Sequence, residues 1–205
     1  MNFKKILLGI GIVLVVLIGL TVRTYKKELA RVQANPKQAY TEDLMKDGNL
    51  TELHMASYNG DYNKVSQLIQ QGYDIHSKTL VYKFTPFHMS IFKGHTYVAD
   101  LLLSKGANIN ENSNFNQTPL HWAAFMGQTA SVNLLIKKGA DLERFSEQGW
   151  TALHSASAMG NLDIVKLLIE AGVQKDKKTY QGQTAKELAQ SNKREDVVRY
   201  LSAVN

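Results

Sequence analysis

The sequence has no cysteine, and this absence excludes a disulfide framework, a thiolate metal site, a cysteine nucleophile and a lipid anchor on cysteine. Proline occurs only three times in 205 residues and no low-complexity run is present, so extensive disorder is not expected. The motifs G-x-S-x-G, the P-loop and H-E-x-x-H are also missing. Because these motifs are missing, the chain is predicted to be neither an enzyme nor a cofactor-binding protein. Its 44% of hydrophobic residues predicts a chain that folds around a core.

An excess of acidic charge is absent as well, and the net charge of +6 comes from one end of the chain. Residues 1–40 contain seven Lys or Arg and one Glu, so residues 41–205 hold 17 of the 24 basic and 17 of the 18 acidic residues. A nucleic-acid-binding domain needs its cations where it contacts phosphates. The charge distribution therefore argues against a nucleic-acid partner.

The basic end flanks an uncharged stretch, residues 6–22, which reads ILLGIGIVLVVLIGLTV. Seventeen residues lie at the short end of the length needed to cross a bilayer as a helix. Lys4 and Lys5 precede the stretch, and Arg23, Lys26 and Lys27 follow it. We predict a single transmembrane anchor over residues 6–22 after a short N-terminal tail, residues 1–5. A cleaved signal peptide is the alternative, but Gly19-Leu20-Thr21 is a poor cleavage site.

The anchor predicts a single-pass membrane protein. The cations on its two sides are nearly equal in number, so charge alone does not orient it. The short lysine-bearing tail resembles bacterial inner-membrane proteins whose large domain is periplasmic, and we predict that orientation. Residues 23–46 are predicted to be a linker, which starts as a helical extension and breaks at Asn35-Pro36.

The rest of the chain repeats one phrase at intervals of 34, 33, 33 and 33 residues. The copies are TELHMASYNG (51–60), TPFHMSIFKG (85–94), TPLHWAAFMG (118–127), TALHSASAMG (151–160) and TAKELAQSNK (184–193). A second series of glycines follows twelve residues after the glycine of each of the first four copies, at Gly72, Gly106, Gly139 and Gly172.

Each copy has the pattern of two short amphipathic helices. Threonine at the N-cap begins the first helix, and a glycine able to adopt positive φ ends it. A second helix with Leu and Ile on one face follows, and then an extended turn. One such unit is too small to bury its own apolar face, so neighbouring units are predicted to stack.

The phrase T-P-L-H-x-A at a period of 33 resembles the ankyrin repeat family, over residues 47–205. The resemblance implies an all-α solenoid of about five helix-turn-helix units with hairpin loops. It also implies a protein-binding module without catalysis. The first unit departs from the pattern because it lacks the proline, and the last because it has Glu187 in place of the histidine. The units are predicted to begin near Asp47, Leu80, Ser113, Ser146 and Thr179.

Histidine recurs at one place in four units, at His54, His88, His121 and His154. Stacked repeats would hold these rings about 10 Å apart, in a column. Zinc ligands must instead meet within about 2.0–2.1 Å of one ion, so no metal site is predicted. The resemblance implies that each histidine hydrogen-bonds to the threonine of its unit and to the backbone of neighbouring loops.

The positions that vary between units are where a partner would bind. In the family these positions are the hairpin tips and the exposed ends of the inner helices, which form a concave face. They carry large apolar side chains in this chain, which is typical of interface cores. The alternatives are that these rings pack against one another or that the linker covers them. Trp122, by contrast, lies on the framework of its inner helix and is predicted to be a core residue. The predicted partner-binding residues are Tyr58, Tyr82, Phe84, Phe92, Phe115, Phe125, Met126, Trp150 and Met159.

The sequence therefore predicts a membrane-anchored, bacterial-type ankyrin-repeat protein that binds another protein through its concave face, with the bilayer bound by residues 6–22. The alternative function is that of a regulator or immunity-type inhibitor of a specific effector or membrane enzyme.

Overall fold

A computed structural model of the chain describes residues 30–31 and 34–204. The chain divides into two compact units, Met1–Lys46 and Asp47–Asn205. No helix among the described residues is long and apolar enough to span a membrane. The predicted anchor at residues 6–22 lies outside the described residues.

In the described part of the first unit, helix α1 spans Pro36–Leu44. The predicted break at Asn35-Pro36 is confirmed, because Asn35 is the N-cap and its side chain accepts a hydrogen bond from the backbone N–H of Gln38. Proline suits the first helical position, where its missing N–H costs nothing. The sequence analysis predicted only the break, and α1 itself is an addition from the structure.

The second unit consists of paired helices followed by turns. Its described helices are α2 (Glu52–Asn59), α3 (Tyr62–Gln70), α4 (Pro86–Lys93), α5 (Thr96–Ser104), α6 (Pro119–Met126), α7 (Thr129–Lys137), α8 (Ala152–Met159), α9 (Leu162–Glu170), α10 (Ala185–Ser191) and α11 (Glu195–Ala203), with a short 3₁₀ turn at Asn114–Asn116. The five predicted helix-turn-helix units are therefore confirmed.

The ends of the first helix in each pair follow from the repeated phrase, as α4 illustrates. Thr85 is its N-cap and Pro86 its first helical residue, and Gly94 ends it with φ of 84°. A side chain at residue 94 would also collide with the next unit, because its Cβ would lie 2.5 Å from the side-chain oxygen of Gln128. Glycine here permits both the left-handed conformation and the close approach of the neighbouring unit.

The units stack in sequence order. Each inner helix packs against the inner helix of the next unit, from α2 through α10, and the outer helices α3 to α11 do the same. One hydrophobic cluster extends through all five units, from Leu53 to Leu201. A unit of two short helices shares its apolar faces with its neighbours, which is why the core is continuous along the stack.

Hairpin loops join the units and pair with one another. Asn114 donates its backbone N–H to Tyr82 O (2.8 Å), and Glu147 donates to Phe115 O (2.9 Å). Tyr180 donates in the same way to Gln148 O (3.3 Å). These bonds satisfy backbone groups that a single hairpin would leave unpaired, and they hold the tips in one row.

Candidate partner-binding surface

The four repeated histidines are the ties between units that the resemblance implied. In each unit the threonine backbone N–H donates to histidine Nδ1 at 3.1–3.2 Å. The other ring nitrogen, Nε2, contacts a backbone carbonyl of the following hairpin segment, for example Trp150 O at 2.8 Å from His121. An Nδ1 that accepts a hydrogen bond carries no proton, so each ring is neutral and Nε2–H is the donor.

The rings of the histidines are buried, and burial sets their proton affinity. Burial lowers the pKa of His88 to about 3 and that of His121 to about 4. Burial also lowers the pKa of His54 and of His154. A second proton would have to bind Nδ1, which already accepts a hydrogen bond from a backbone N–H. The hydrogen-bond geometry therefore opposes protonation in addition to burial.

Both nitrogens of each of these rings are used in hydrogen bonds that hold the fold. Across residues 30–31 and 34–204, no three His, Asp or Glu side chains are grouped so that they could hold a metal ion. The hydrogen bonds identify these four buried histidines as structural residues.

The structure places the nine predicted partner-binding residues in two groups. Phe84 and Phe92 are 1% exposed, Tyr82 is 5% exposed and Trp150 is 7% exposed. The expectation that these four side chains face solvent is therefore wrong. The remaining five are half-buried, and their outer surfaces reach solvent: Tyr58, Phe115, Phe125, Met126 and Met159.

Three of the four buried residues, Tyr82, Phe84 and Phe92, belong to an aromatic cluster centred on Trp122. The ring of Trp122 lies 4.9 Å from that of Phe84 and 6.0 Å from that of Phe92, measured between centroids. Tyr82 meets the same indole edge-on at 6.4 Å, and the indole N–H donates to Ser113 Oγ at 2.8 Å. The predicted core position of Trp122 is confirmed, and the alternative of rings that pack on one another is correct for this part of the surface.

Four of the five half-buried residues lie near the ends of inner helices: Tyr58, Phe125, Met126 and Met159. Met126 and Met159 occupy equivalent positions, one unit apart, at the ends of α6 and α8. Phe125 precedes Met126, and its ring packs on Trp122 at 6.0 Å. A groove of about 360 Å³ adjoins Met159, with Arg194 and Asp196 on its rim. An apolar strip with a charged rim is the usual composition of a protein interface.

Phe115 presents its ring from a hairpin tip in an unusual backbone conformation. Its φ is 59°, and Asn116 beside it has φ of 56°. A bulky aromatic residue rarely adopts positive φ, and such strained residues are concentrated at functional sites. The Asn116 side chain offsets part of this cost, because its amide donates to Phe145 O in the next unit at 3.0 Å.

Three apolar side chains are especially exposed, and sequence reasoning missed two of them, Leu80 and Tyr97. Leu80 is 60% exposed, Tyr180 is 70% exposed and Tyr97 is 84% exposed. Leu80 lies in the hairpin between the first two units, where the repeat interval is 34 residues and not 33. This longer interval is the signal in the sequence that could have indicated an altered hairpin.

Comparison with known families agrees with this architecture. Residues 53–146 match the family model described as ankyrin repeats (3 copies), and residues 126–169 match the one described as ankyrin repeats (many copies). A search of curated protein sequences finds no match. The two matched segments overlap and together span more than half of the chain, and the protein belongs to the ankyrin-repeat family. Ankyrin repeats are modules for protein–protein interaction.

Proposed function

We propose that this protein is a non-catalytic, membrane-anchored ankyrin-repeat protein that captures another protein on the ends of its inner helices. The observation that supports the proposal is the strip of Phe125, Met126 and Met159, whose side chains remain half-open to solvent at successive units. Met and aromatic side chains are enriched in interface cores and adapt to the shape of a partner.

The strip is held in place before a partner arrives. Phe125 packs on the buried Trp122, and the amide of Asn161 donates to the carbonyls of Ala124 (2.7 Å) and Phe125 (3.2 Å). The N–H of Arg194 Nε donates in an equivalent place to Ala158 O at 3.2 Å. A strip fixed in this way loses little conformational entropy on binding. The proposed partner is a protein that presents a complementary apolar ridge. In the more specific version of this proposal, the partner is an effector or a membrane enzyme, and the ankyrin-repeat protein regulates or inhibits it.

The double variant M126E/M159E tests the proposed surface. We expect it to lower capture of partner protein from a lysate of the source cells by about tenfold or more, because two charges would be buried without counter-ions. Capture is measured by pull-down with the tagged full chain. Far-ultraviolet circular dichroism should match that of the unaltered chain, since both side chains are only half-buried.

The matched control is Tyr97→Glu on the outer helix α5, where the ring is 84% exposed. That variant should capture the same proteins as the unaltered chain. If M126E/M159E also captures them undiminished, the strip is not the binding surface.

We also propose that residues 6–22 anchor the chain in the bacterial inner membrane, with the repeats in the periplasm. The apolar run and the cations on both sides of it support the anchor. A reporter enzyme that is active only after export, fused after Asn205, is expected to be active. The same fusion without residues 6–22 should be inactive, and activity of a cytoplasm-only reporter at the same position would reverse the orientation.

A further inference from the structure

The hairpin between the first two units is built differently from the others. In the later hairpins the base is closed by a bond from one backbone N–H to the carbonyl four residues on, as from Ser113 to Gln117 (2.9 Å) and from Ser146 to Trp150 (2.9 Å). Here Thr79 donates to Phe84 O, five residues on, at 2.9 Å. The hairpin at residues 79–84 therefore contains the extra residue that lengthens the first repeat interval to 34.

The extra residue changes which side chains face solvent. Tyr82 turns inward, and its ring lies 5.8 Å from that of Phe84. Leu80 and Val81 turn outward instead, with 60% and 44% of their surfaces exposed. An exposed aliphatic pair at a loop tip is costly in water, and such patches mark contact sites.

The tip is rigid, so the exposure does not come from a loose loop. The buried carboxylate of Asp47 accepts the backbone N–H of Val81 at 2.7 Å and that of Tyr82 at 2.8 Å. Leu80 N–H donates to Gly48 O at 2.9 Å, and the side-chain amide of Asn114 donates to Val81 O at 3.0 Å. The backbone is thus bonded on both sides, to the first hairpin and to the third, and the two aliphatic side chains are held outward.

Their place along the chain is the next observation. The hairpin at residues 79–84 lies beside Gly48 and Asn49, which begin the repeat domain directly after the linker at residues 23–46. The places equivalent to Leu80 farther along the stack carry no aliphatic residue: they hold Asn114 in the third unit, Glu147 in the fourth and the exposed aromatic Tyr180 in the last. The aliphatic pair thus occurs in the hairpin that neighbours the point where the linker enters the domain.

We propose that Leu80 and Val81 insert into the headgroup–acyl boundary of the bilayer, so that the first two hairpins face the membrane. The inference rests on the proposed anchor at residues 6–22. Leucine and valine are under-represented among the residues that dominate protein interfaces, whereas aliphatic side chains readily enter the interfacial region of a membrane. The exposed Lys83 beside them suits lipid phosphates. Two side chains bind a free bilayer weakly, but a tether raises their effective concentration to about millimolar.

Site-specific labelling tests the contact, since the chain has no natural cysteine. The full-length variants Val81→Cys and Gln181→Cys carry an environment-sensitive fluorophore at an exposed hairpin tip, one near the linker and one in the last unit. Both are reconstituted in vesicles of phosphatidylcholine with one quarter phosphatidylglycerol and a nitroxide-labelled lipid. We expect the label at residue 81 to be quenched about threefold more strongly than that at residue 181.

Flotation of the vesicles separates this inference from the anchor itself. If the full chain does not float with vesicles, or if deletion of residues 6–22 leaves flotation unchanged, the anchor fails. If the chain floats but both labels are quenched equally, the membrane contact of Leu80 and Val81 is overturned. Protection of residue 81 from iodide only after addition of captured partner protein would assign the tip to a protein interface, which also overturns the lipid contact.

Discussion

Lowering the pH from about 7.5 to about 4.5 is expected to remove on the order of 5 kcal/mol from the free energy of unfolding of the repeat domain, through His88 and His121. Both rings are buried, with pKa values of about 3 and about 4 in the fold. In the unfolded chain a histidine has a pKa of about 6.5. His54 and His154, whose pKa values are also lowered, add to the same effect.

The sign follows from where the protons bind. Above about pH 6.5 both states hold the histidines neutral, and the full stability is present. As the pH falls below that value, the unfolded chain takes up protons that the folded domain refuses, and each histidine costs about 1.4 kcal/mol per pH unit. The loss continues until the pH reaches the folded pKa values. Free carboxyl groups titrate near pH 4. As the pH falls, we therefore expect the histidines to destabilise the domain at a higher pH than the acidic residues do.

Urea unfolding followed by circular dichroism at several pH values between about 7.5 and 5 measures the effect. His121→Asn should reduce the pH slope by the share of one histidine, since the replacement does not titrate. His76→Asn is the control for the substitution itself, because that side chain is exposed in the fold, and it should leave the stability at neutral pH nearly unchanged. An unfolding midpoint that stays constant down to about pH 5 would contradict the expectation.

Trp122→Ala should be among the most destabilising single changes in the domain, with an expected loss of about 3–5 kcal/mol. The indole is buried and contacts the rings of Tyr82, Phe84, Phe92 and Phe125, so the substitution leaves a cavity between the second and third units. Ser113 would also lose the N–H that bonds its hydroxyl. The loss is measured by urea unfolding near neutral pH.

Two further variants separate the cavity from a general effect of substitution. Trp122→Phe keeps most of the ring volume and should recover the larger part of the loss, although the bond to Ser113 is still missing. Tyr97→Ala removes a ring that is 84% exposed and should change the stability by less than about 0.5 kcal/mol. A loss below about 1 kcal/mol for Trp122→Ala would show that the aromatic cluster does not support the stack.

The nine predicted partner-binding residues show where pattern reasoning succeeds and where it stops. The repeat register aligned the positions that differ between units, but register alone does not say which way a side chain turns. Phe84 lies one residue before the threonine cap, and its ring turns inward to stack on His88 at 5.2 Å. Met126 and Met159, at the helix ends, are only half-buried. Burial depended on the volume available between units, which a period does not encode.

The sequence by itself determined the number of units and the ends of their helices. These features depend on local rules, because a threonine cap, a following proline and a terminal glycine act through the backbone within a few residues. The histidine ties were expected from the resemblance to the ankyrin repeat family and not from local rules, because their carbonyl partners lie 23 to 30 residues farther along the chain.

Only the tertiary structure decided which apolar residues face solvent. One extra residue in the hairpin at residues 79–84 turns Tyr82 inward and Leu80 outward, and the outcome depends on the carboxylate of Asp47 and the indole of Trp122. Those partners lie 35 and 40 residues away from Tyr82 in the chain. Contacts between residues so far apart in sequence arise from packing, and packing is a property of the whole stack.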